Sequence, residues 1–165
     1  MKTLTKALAL CVVLAGPTYP QAQQFVDAGH IQDRILIADQ LARYSQLWDR
    51  KDSEGVSMLV AEDGAFEWHL TGAEQQPPIV KGRDNVLKYA RQAHETRLAG
   101  RQSRHHFSGL VFEELSDSEA VTEHMLLVTH VVPGEKPVVA ATGIYKINWV
   151  KTDDGWLMAH RKLFV

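Results

Sequence analysis

The sequence predicts an α+β domain, with helices on one face of a curved antiparallel sheet. After residue 30, the first half of the chain has helical spacing and one short strand-like run, "GAFEWHL". The last third contains four β-rich runs joined by the polar links "SDSE", "PGEK" and "KTDDG", which are typical of hairpin turns. Three helices around one strand, followed by an antiparallel meander, favour a two-layer fold.

The overall composition is that of one globular domain. The chain has 165 residues, of which 45% are apolar and 23% are charged, enough to build a core. The formal net charge is −2, from 18 basic and 20 acidic residues. This balance gives no electrostatic reason to expect a nucleic acid or an acidic membrane as partner.

Residues 1–23 have the three-part pattern of a secretory signal peptide. Lys2 and Lys6 precede an apolar run, which is followed by small and polar residues. The run is shorter than the roughly 20 residues that span a bilayer, so a membrane anchor is the weaker interpretation. Cleavage after Ala15 or Ala22 fits the pattern, and both sites remain open.

The expected location of the mature domain, residues 24–165, is secreted or periplasmic, with no membrane attachment after cleavage. Cys11, the single cysteine, lies in the apolar run, so the exported chain would contain no disulfide. Loss of Lys2 and Lys6 would change the formal net charge from −2 to −4.

Three helices are predicted before the β-rich region. In the first, a stripe of mostly apolar residues is expected to face the core, with Leu41 beside it: Ile31, Ile35, Ala38, Ala42, Ser45 and Trp48. A second, short helix begins near Asp52 or Ser53, residues suited to capping. The third falls in "GRDNVLKYARQAHETRLAG" and ends before Gly100.

Two adjacent histidines, His105 and His106, open the first long strand of the meander. Neighbouring side chains of a strand point to opposite faces, so one histidine should face inward. Both alternating sets of this strand contain apolar residues, and alternation alone therefore does not choose between them. A buried histidine beside a carboxylate is suited to general base catalysis, although it could also simply complete a hydrogen bond in the core.

Several runs in order resemble a known family. The long first helix ending in "WDRKD", then "LVAEDGAFEW", the central "RHHF" and the terminal "KTDDGWLMAHRKL" resemble the SnoaL-like branch of the nuclear transport factor 2-like superfamily. The resemblance covers roughly residues 31–163. It implies a cone-shaped fold, in which a bent sheet and about three helices enclose a pocket. This superfamily is functionally diverse, so its fold alone does not identify a reaction.

Two groups of enzymes in this superfamily imply site residues. The resemblance to scytalone dehydratases, through "DRKD", "HHF" and "HMLLVTH", places their catalytic histidines on His106 and His130. Their catalytic tyrosine falls on Trp68 and their aspartate on Gln46, so those two groups are missing. The resemblance to hexachlorocyclohexane dehydrochlorinases places an Asp–His dyad on Asp49 and His106. On this basis His106 is expected to be the inward histidine.

Further residues are assigned by type and position. The expected walls of the substrate pocket are aromatic: Tyr44, Trp68, Tyr145 and Trp156. His124 shares a strand face with His130 and is interpreted as structural, and Arg161 is interpreted as a surface or rim residue.

No metal site is expected, because the histidines lack a ligand spacing such as His-x-x-x-His on a helix. No cofactor motif is present either.

The expected function is cofactor-independent proton abstraction from a small hydrophobic molecule, expected to be cyclic, leading to elimination or isomerisation. His106 would be the base, Asp49 would orient it, and His130 would assist the leaving oxygen. A non-catalytic small-molecule binding protein and a dimeric interaction domain are the alternatives. A homodimer or higher homo-oligomer fits all three, with Met125 and Leu127 in the interface.

Overall fold

The computed structural model of the chain describes residues 30–165, so the predicted signal peptide lies outside the described part. Apart from the short β2, which was not predicted, the elements follow the predicted order: α1 (Ile31–Asp49), α2 (Ser53–Met58), β1 (Val60–His69), β2 (Val80–Lys81), α3 (Arg83–Glu95), β3 (Gln102–Leu115), β4 (Glu119–Val131), β5 (Val138–Thr152) and β6 (Gly155–Phe164). No helix within 30–165 is both long and apolar enough to cross a bilayer.

The six strands form one sheet in the order β2-β1-β6-β5-β4-β3. β3 to β6 make the predicted antiparallel meander, whereas β1 runs parallel to β6 and pairs antiparallel with the short β2. Register shifts interrupt all the long pairings, and such bulges increase bending and twist. The α+β class, with a curved sheet and three helices, is confirmed.

The core lies between the helices and the inner face of the sheet. Many of its largest fully buried side chains come from α1 and from three strands, β1, β5 and β6: Tyr44, Phe66, Ile147, Trp149, Trp156 and Met158. α1 packs mainly against β3, while α3 packs against α2 and β1. Together these contacts leave space between α1, α3 and the strands, where the candidate site lies.

The predicted buried stripe of α1 is wrong by a rotation about the helix axis. Ile31 and Ile35 are 51% and 58% exposed, whereas Asp33, Ile37 and Tyr44, outside the predicted stripe, are buried. Leu41 and Trp48 are buried as predicted. The apolar residues spread around this helix and give little amphipathic contrast, so sequence spacing alone could not orient it. The rotation matters because it places Tyr44, together with Trp48, on the wall of the pocket.

α1 ends in a left-handed turn that directs Asp49 toward β3. Lys51 has a φ of 61°, the only positive value among the non-glycine residues of 30–165. Its N–H donates to the carbonyl of Trp48, and the Asp52 N–H donates to that of Leu47. This closure resembles the common left-handed termination of helices. Asp52 then caps α2 by accepting the Gly55 N–H at 2.8 Å.

Candidate functional site

A cavity of about 260 Å³ lies between the helices and the inner face of the sheet. Its walls are mainly aromatic and aliphatic, with a small number of polar groups, as in many small-molecule sites. Its main aromatic and polar residues are Tyr44, Trp48, Trp68, Tyr89, Arg97, His105, His130, Tyr145 and Arg161. The volume lies just below the range of about 300–1,000 Å³ typical of drug-sized ligands, so it suits a compact molecule.

Asp49 pairs with His105, and the predicted pairing with His106 is wrong. His105 Nδ1 lies 2.7 Å from Asp49 Oδ1, while the His105 backbone N–H donates to Asp49 Oδ2 at 2.9 Å. Ser103 Oγ donates to Asp49 Oδ1 at 2.8 Å. β3 is an edge strand, so the Asp49 side chain also satisfies a backbone N–H that β4 does not pair. His106 faces the exposed side, where its Nε2 lies 3.2 Å from Thr129 Oγ1.

A bulge at Gly109 explains why the inward histidine is His105 and not the predicted His106. Before the bulge the inward residues are Ser103, His105 and Phe107. The register with β4 shifts between Ser108 and Val111, and Gly109 has a φ of 65°. After the shift the alternation reverses, which leaves Val111 57% exposed. The inward side chains are therefore odd-numbered before the bulge and even-numbered after it. A rule of constant alternation along the strand could not identify the inward histidine. A glycine within a strand was the available signal.

The protonation of the dyad follows from the charge of Asp49. Burial raises the pKa of the Asp49 carboxyl, but the hydrogen bonds from the His105 side chain and backbone outweigh burial. The pKa is therefore held below its usual value of 3.8. An ionised carboxylate can only accept, so Nδ1 of His105 carries the proton. In the neutral imidazole, Nε2 is then left with its lone pair, and His105 lines the cavity.

His130 lines the same cavity, as the resemblance implied that it would. Burial is the main cause that lowers its pKa, and the positive charges of Arg101 and Arg97 add to the effect. The lowered pKa favours a neutral ring, which can donate one N–H as a hydrogen bond. His124, on the same face of β4, is 1% exposed and packs 4.7 Å from Phe107 between ring centroids.

Three of the four predicted aromatic walls line the cavity: Tyr44, Trp68 and Tyr145. The prediction for Trp156 is wrong. Its indole N–H donates to Asp33 Oδ1 at 2.8 Å, near the start of α1, and Lys151 Nζ lies 2.8 Å from the same oxygen. The buried Asp33, which the predicted stripe omitted, holds Trp156 in the core away from the cavity.

Arg161 is buried, and its interpretation as a surface or rim residue is wrong. It is 2% exposed and lines the cavity. Its Nη1 donates to Tyr44 Oη at 2.7 Å, and its guanidinium carbon lies 3.8 Å from the centroid of the Phe66 ring. Leu163, two residues later, is also buried and lines the same cavity. Residues two apart in a strand share a face, so the apolar Leu163 was the available signal that Arg161 faces inward.

Within residues 30–165, no group of three or more His, Cys, Asp or Glu side chains is arranged to hold a metal ion. The nearest approach is Glu67, whose two oxygens each lie 2.8 Å from Nε2 of a histidine, His69 or His160. The cavity has a base, hydrogen-bond donors and aromatic walls. These groups can bind a small organic molecule and move a proton.

Comparisons with known proteins agree with this architecture. The sequence profile of the SnoaL-like domain family matches residues 29–162. An NTF2-like protein with a cystatin-like fold from Novosphingobium aromaticivorans superposes with a TM-score of 0.69 at 21% identity, over 86% of this chain and 92% of that chain. No curated protein sequence is significantly similar to the chain.

Two further solved structures share the fold. A Catenulispora acidiphila protein in complex with S-DNPA has a TM-score of 0.68 at 22% identity, over 81% of this chain and 92% of that chain. A Novosphingobium aromaticivorans protein provisionally described as a scytalone dehydratase has a TM-score of 0.65 at 23% identity, over 81% of this chain and 84% of that chain. At these identities the likeness shows the fold alone.

Proposed function

We propose that this chain, which belongs to the SnoaL-like domain family, catalyses proton abstraction from carbon in a compact hydrophobic molecule, as an isomerase or lyase. The observation that carries the proposal is the Asp49–His105 pair at 2.7 Å, with His105 on the wall of a largely aromatic cavity. The relative provisionally described as a scytalone dehydratase supports this class of reaction.

In the proposed reaction, Nε2 of His105 takes a proton from a carbon beside a carbonyl group. The C–H electron pair moves toward the carbonyl oxygen and forms an enolate. The ring becomes an imidazolium, which the Asp49 carboxylate stabilises through Nδ1. Asp49 is a positioning residue, because it acts through His105. The enolate then takes a proton at another carbon, which is isomerisation, or expels a leaving group, which is elimination.

His130 and the tyrosine hydroxyls would serve the substrate oxygen. The neutral His130 can donate an N–H, and Tyr44 keeps its own O–H to donate while it accepts from Arg161. Hydrogen bonds directed at a developing oxyanion are a major source of rate acceleration. This chemistry needs no cofactor, because the substrate carbonyl itself accepts the electron pair.

The adjacent histidines provide a matched test. We expect the protein to accelerate exchange of the α-protons of 2-tetralone with D₂O, which proton NMR follows directly. His105→Gln should lower the rate by about 10²–10⁴-fold, the usual contribution of a positioned general base. His106→Gln, one residue away on the exposed face, should catalyse the exchange of the 2-tetralone protons at the wild-type rate. Equal rates for wild type and His105→Gln, or dependence on His106, would refute the assignment.

A binding protein without turnover is the second candidate. Trp68 lines the cavity where the resemblance places a catalytic tyrosine, and an indole cannot replace the phenol as an acid. Gln46, at the position of the expected aspartate, lines an outer cleft rather than this cavity. If this candidate is correct, 2-tetralone should quench the fluorescence of Trp48 and Trp68 saturably, without any accelerated exchange.

A further inference from the structure

Arg161 is a buried cation with no carboxylate partner in the described part of the chain. Of its donors, only Nη1 is engaged, by Tyr44 Oη at 2.7 Å and Tyr145 Oη at 3.5 Å. Nε and Nη2 are buried and have no acceptor within residues 30–165. An arginine keeps its charge at physiological pH, so the resting protein holds a desolvated positive charge here. Such a charge is costly when nothing neutralises it.

The surroundings compensate that charge only in part. The guanidinium carbon lies 3.8 Å, 4.9 Å and 5.0 Å from the ring centroids of Phe66, Trp68 and Tyr145, so three aromatic rings surround it. Cation–π contacts are attractive, but an aromatic ring does not neutralise a charge. The carboxylates of nearby elements are engaged elsewhere. Asp49 binds His105, and Glu67 lies between His69 and His160.

The charge of the whole cavity has the same sign. Its charged lining residues are Arg97 and Arg161, and no Asp or Glu is among its described lining residues. A cavity of this kind focuses a positive potential on its contents. A neutral hydrocarbon would leave the Arg161 guanidinium desolvated and without a counter-ion.

We propose that the substrate of this cavity is a compact cyclic acid whose carboxylate pairs with Arg161. The inference deepens the proposed function and rests on it for taking this cavity as the substrate site. A carboxylate is preferred to a carbonyl that becomes anionic during the reaction, because Arg161 is charged before any reaction begins. The planar guanidinium matches the geometry of a carboxylate. Arg161 therefore selects a ligand that has one or two rings and carries an ionised carboxyl group.

The wild-type protein itself provides the first test. 2-Naphthoate and the neutral 2-naphthamide have nearly the same shape and differ in charge. Titration at neutral pH, followed by tryptophan fluorescence and calorimetry, should give an affinity at least about tenfold higher for the naphthoate. Equal affinities, or no saturable binding of the naphthoate at millimolar concentration, would overturn the proposal.

Variants then locate the charge that selects the acid. Arg161→Met, which keeps an unbranched apolar side chain and removes the charge, should reduce the naphthoate-to-naphthamide ratio to about one. Arg161→Lys keeps a positive charge but loses the planar guanidinium, so it should keep part of the preference for the acid. If Arg161→Met does not fold, an unchanged ratio in Arg161→Lys would contradict the proposal. Arg43→Met, on the exposed face of α1, is the matched control and should keep the wild-type ratio. If the ratio falls in Arg97→Met and not in the Arg161 variants, the proposal is wrong.

The same measurement separates this inference from the proposed reaction. His105→Gln should abolish proton exchange and still prefer 2-naphthoate over 2-naphthamide. Loss of the acid preference in His105→Gln alone would show that the histidine, not Arg161, holds the anion. A wild-type protein that prefers the acid but exchanges no protons would contradict the catalytic proposal and leave the anion site in place.

Discussion

Asp49 has several partners at the scale of single residues, and they explain why a carboxylate ends a helix. The helix dipole disfavours negative charge at that position. Here the side chain accepts from Ser103 Oγ and from two groups of His105, at 2.7–2.9 Å. The same contacts connect α1 to the edge strand and set the tautomer of His105. A residue in an unfavourable position on its own helix is thus favourable in the folded chain.

His124 leads to a prediction about the pH dependence of stability. Burial lowers its pKa from 6.5 to about 4. Neither ring nitrogen has a hydrogen-bond partner within the described residues. Between pH 6.5 and pH 4, the unfolded chain binds a proton that the native ring does not, so stability falls as the pH falls. The full loss is about 3 kcal/mol at 1.36 kcal/mol per pKa unit.

His124→Leu should remove this dependence. Urea unfolding at several pH values should show a shallower loss of stability for the variant than for wild type across this interval. Because the histidine makes no hydrogen bond that would be lost, stability at neutral pH should change little. His106→Leu, on the exposed face of β3, is the control and should keep the wild-type pH profile. An unchanged slope in His124→Leu would exclude His124 as the cause.

At the scale of elements, the bulge in β3 determines which residues enter the site. Gly109 adopts a left-handed φ of 65°, and a Cβ there would lie 2.9 Å from Met125 Cε. The methionine end can move, so the backbone conformation is the main obstacle to a side chain. The bulge allows His105 and Phe107 to face inward while Phe112, farther along, also packs against the core.

Gly109→Ala should therefore destabilise the protein by about 1–2 kcal/mol, the usual cost of a left-handed conformation in a residue with a Cβ. Equilibrium unfolding in urea measures this difference. Ser108→Ala, the exposed neighbour on the same strand, should stay within about 0.5 kcal/mol of wild type. Equal stability of Gly109→Ala and wild type would mean that the bulge tolerates another backbone conformation.

At the scale of the whole molecule, the outer face of the sheet has a row of exposed apolar side chains. Met125, Ile144 and Phe164 pair across β4, β5 and β6 and are 55%, 40% and 40% exposed. Leu127 lies two residues from Met125 on the same face and is 37% exposed. Contiguous apolar surface of this kind commonly marks an interface, and a two-fold dimer buries the same patch on both copies.

We expect a homodimer that buries this face. Ile144→Lys should shift the molecular mass measured by light scattering from dimer to monomer, because each copy would have to bury an unpaired lysine in the interface. Ile31→Lys, at an exposed apolar position on α1, is the matched control and should remain a dimer. A monomeric wild type, or a dimer in Ile144→Lys, would contradict the expected interface.

The order of the helices and long strands, the α+β class and the family could be predicted from the sequence alone, whereas the two-residue β2 could not. Hairpin links, helical spacing and motif order are local properties of the sequence, so they can be recognised without knowledge of packing. Tyr44, Trp68 and Tyr145, assigned to the pocket as aromatic residues, and His130, assigned through the resemblance, do line one cavity.

Only the tertiary structure decided which histidine, which face of α1 and which charge belong to the site. A bulge reversed the alternation of β3 and exchanged His106 for His105. The packing of Asp33 against Trp156 removed that tryptophan from the cavity, and the aromatic rings around Arg161 brought a cation into it. Each outcome depends on contacts between residues distant in sequence. A shift of one residue in a strand costs little locally, but it moves a side chain from solvent to the pocket.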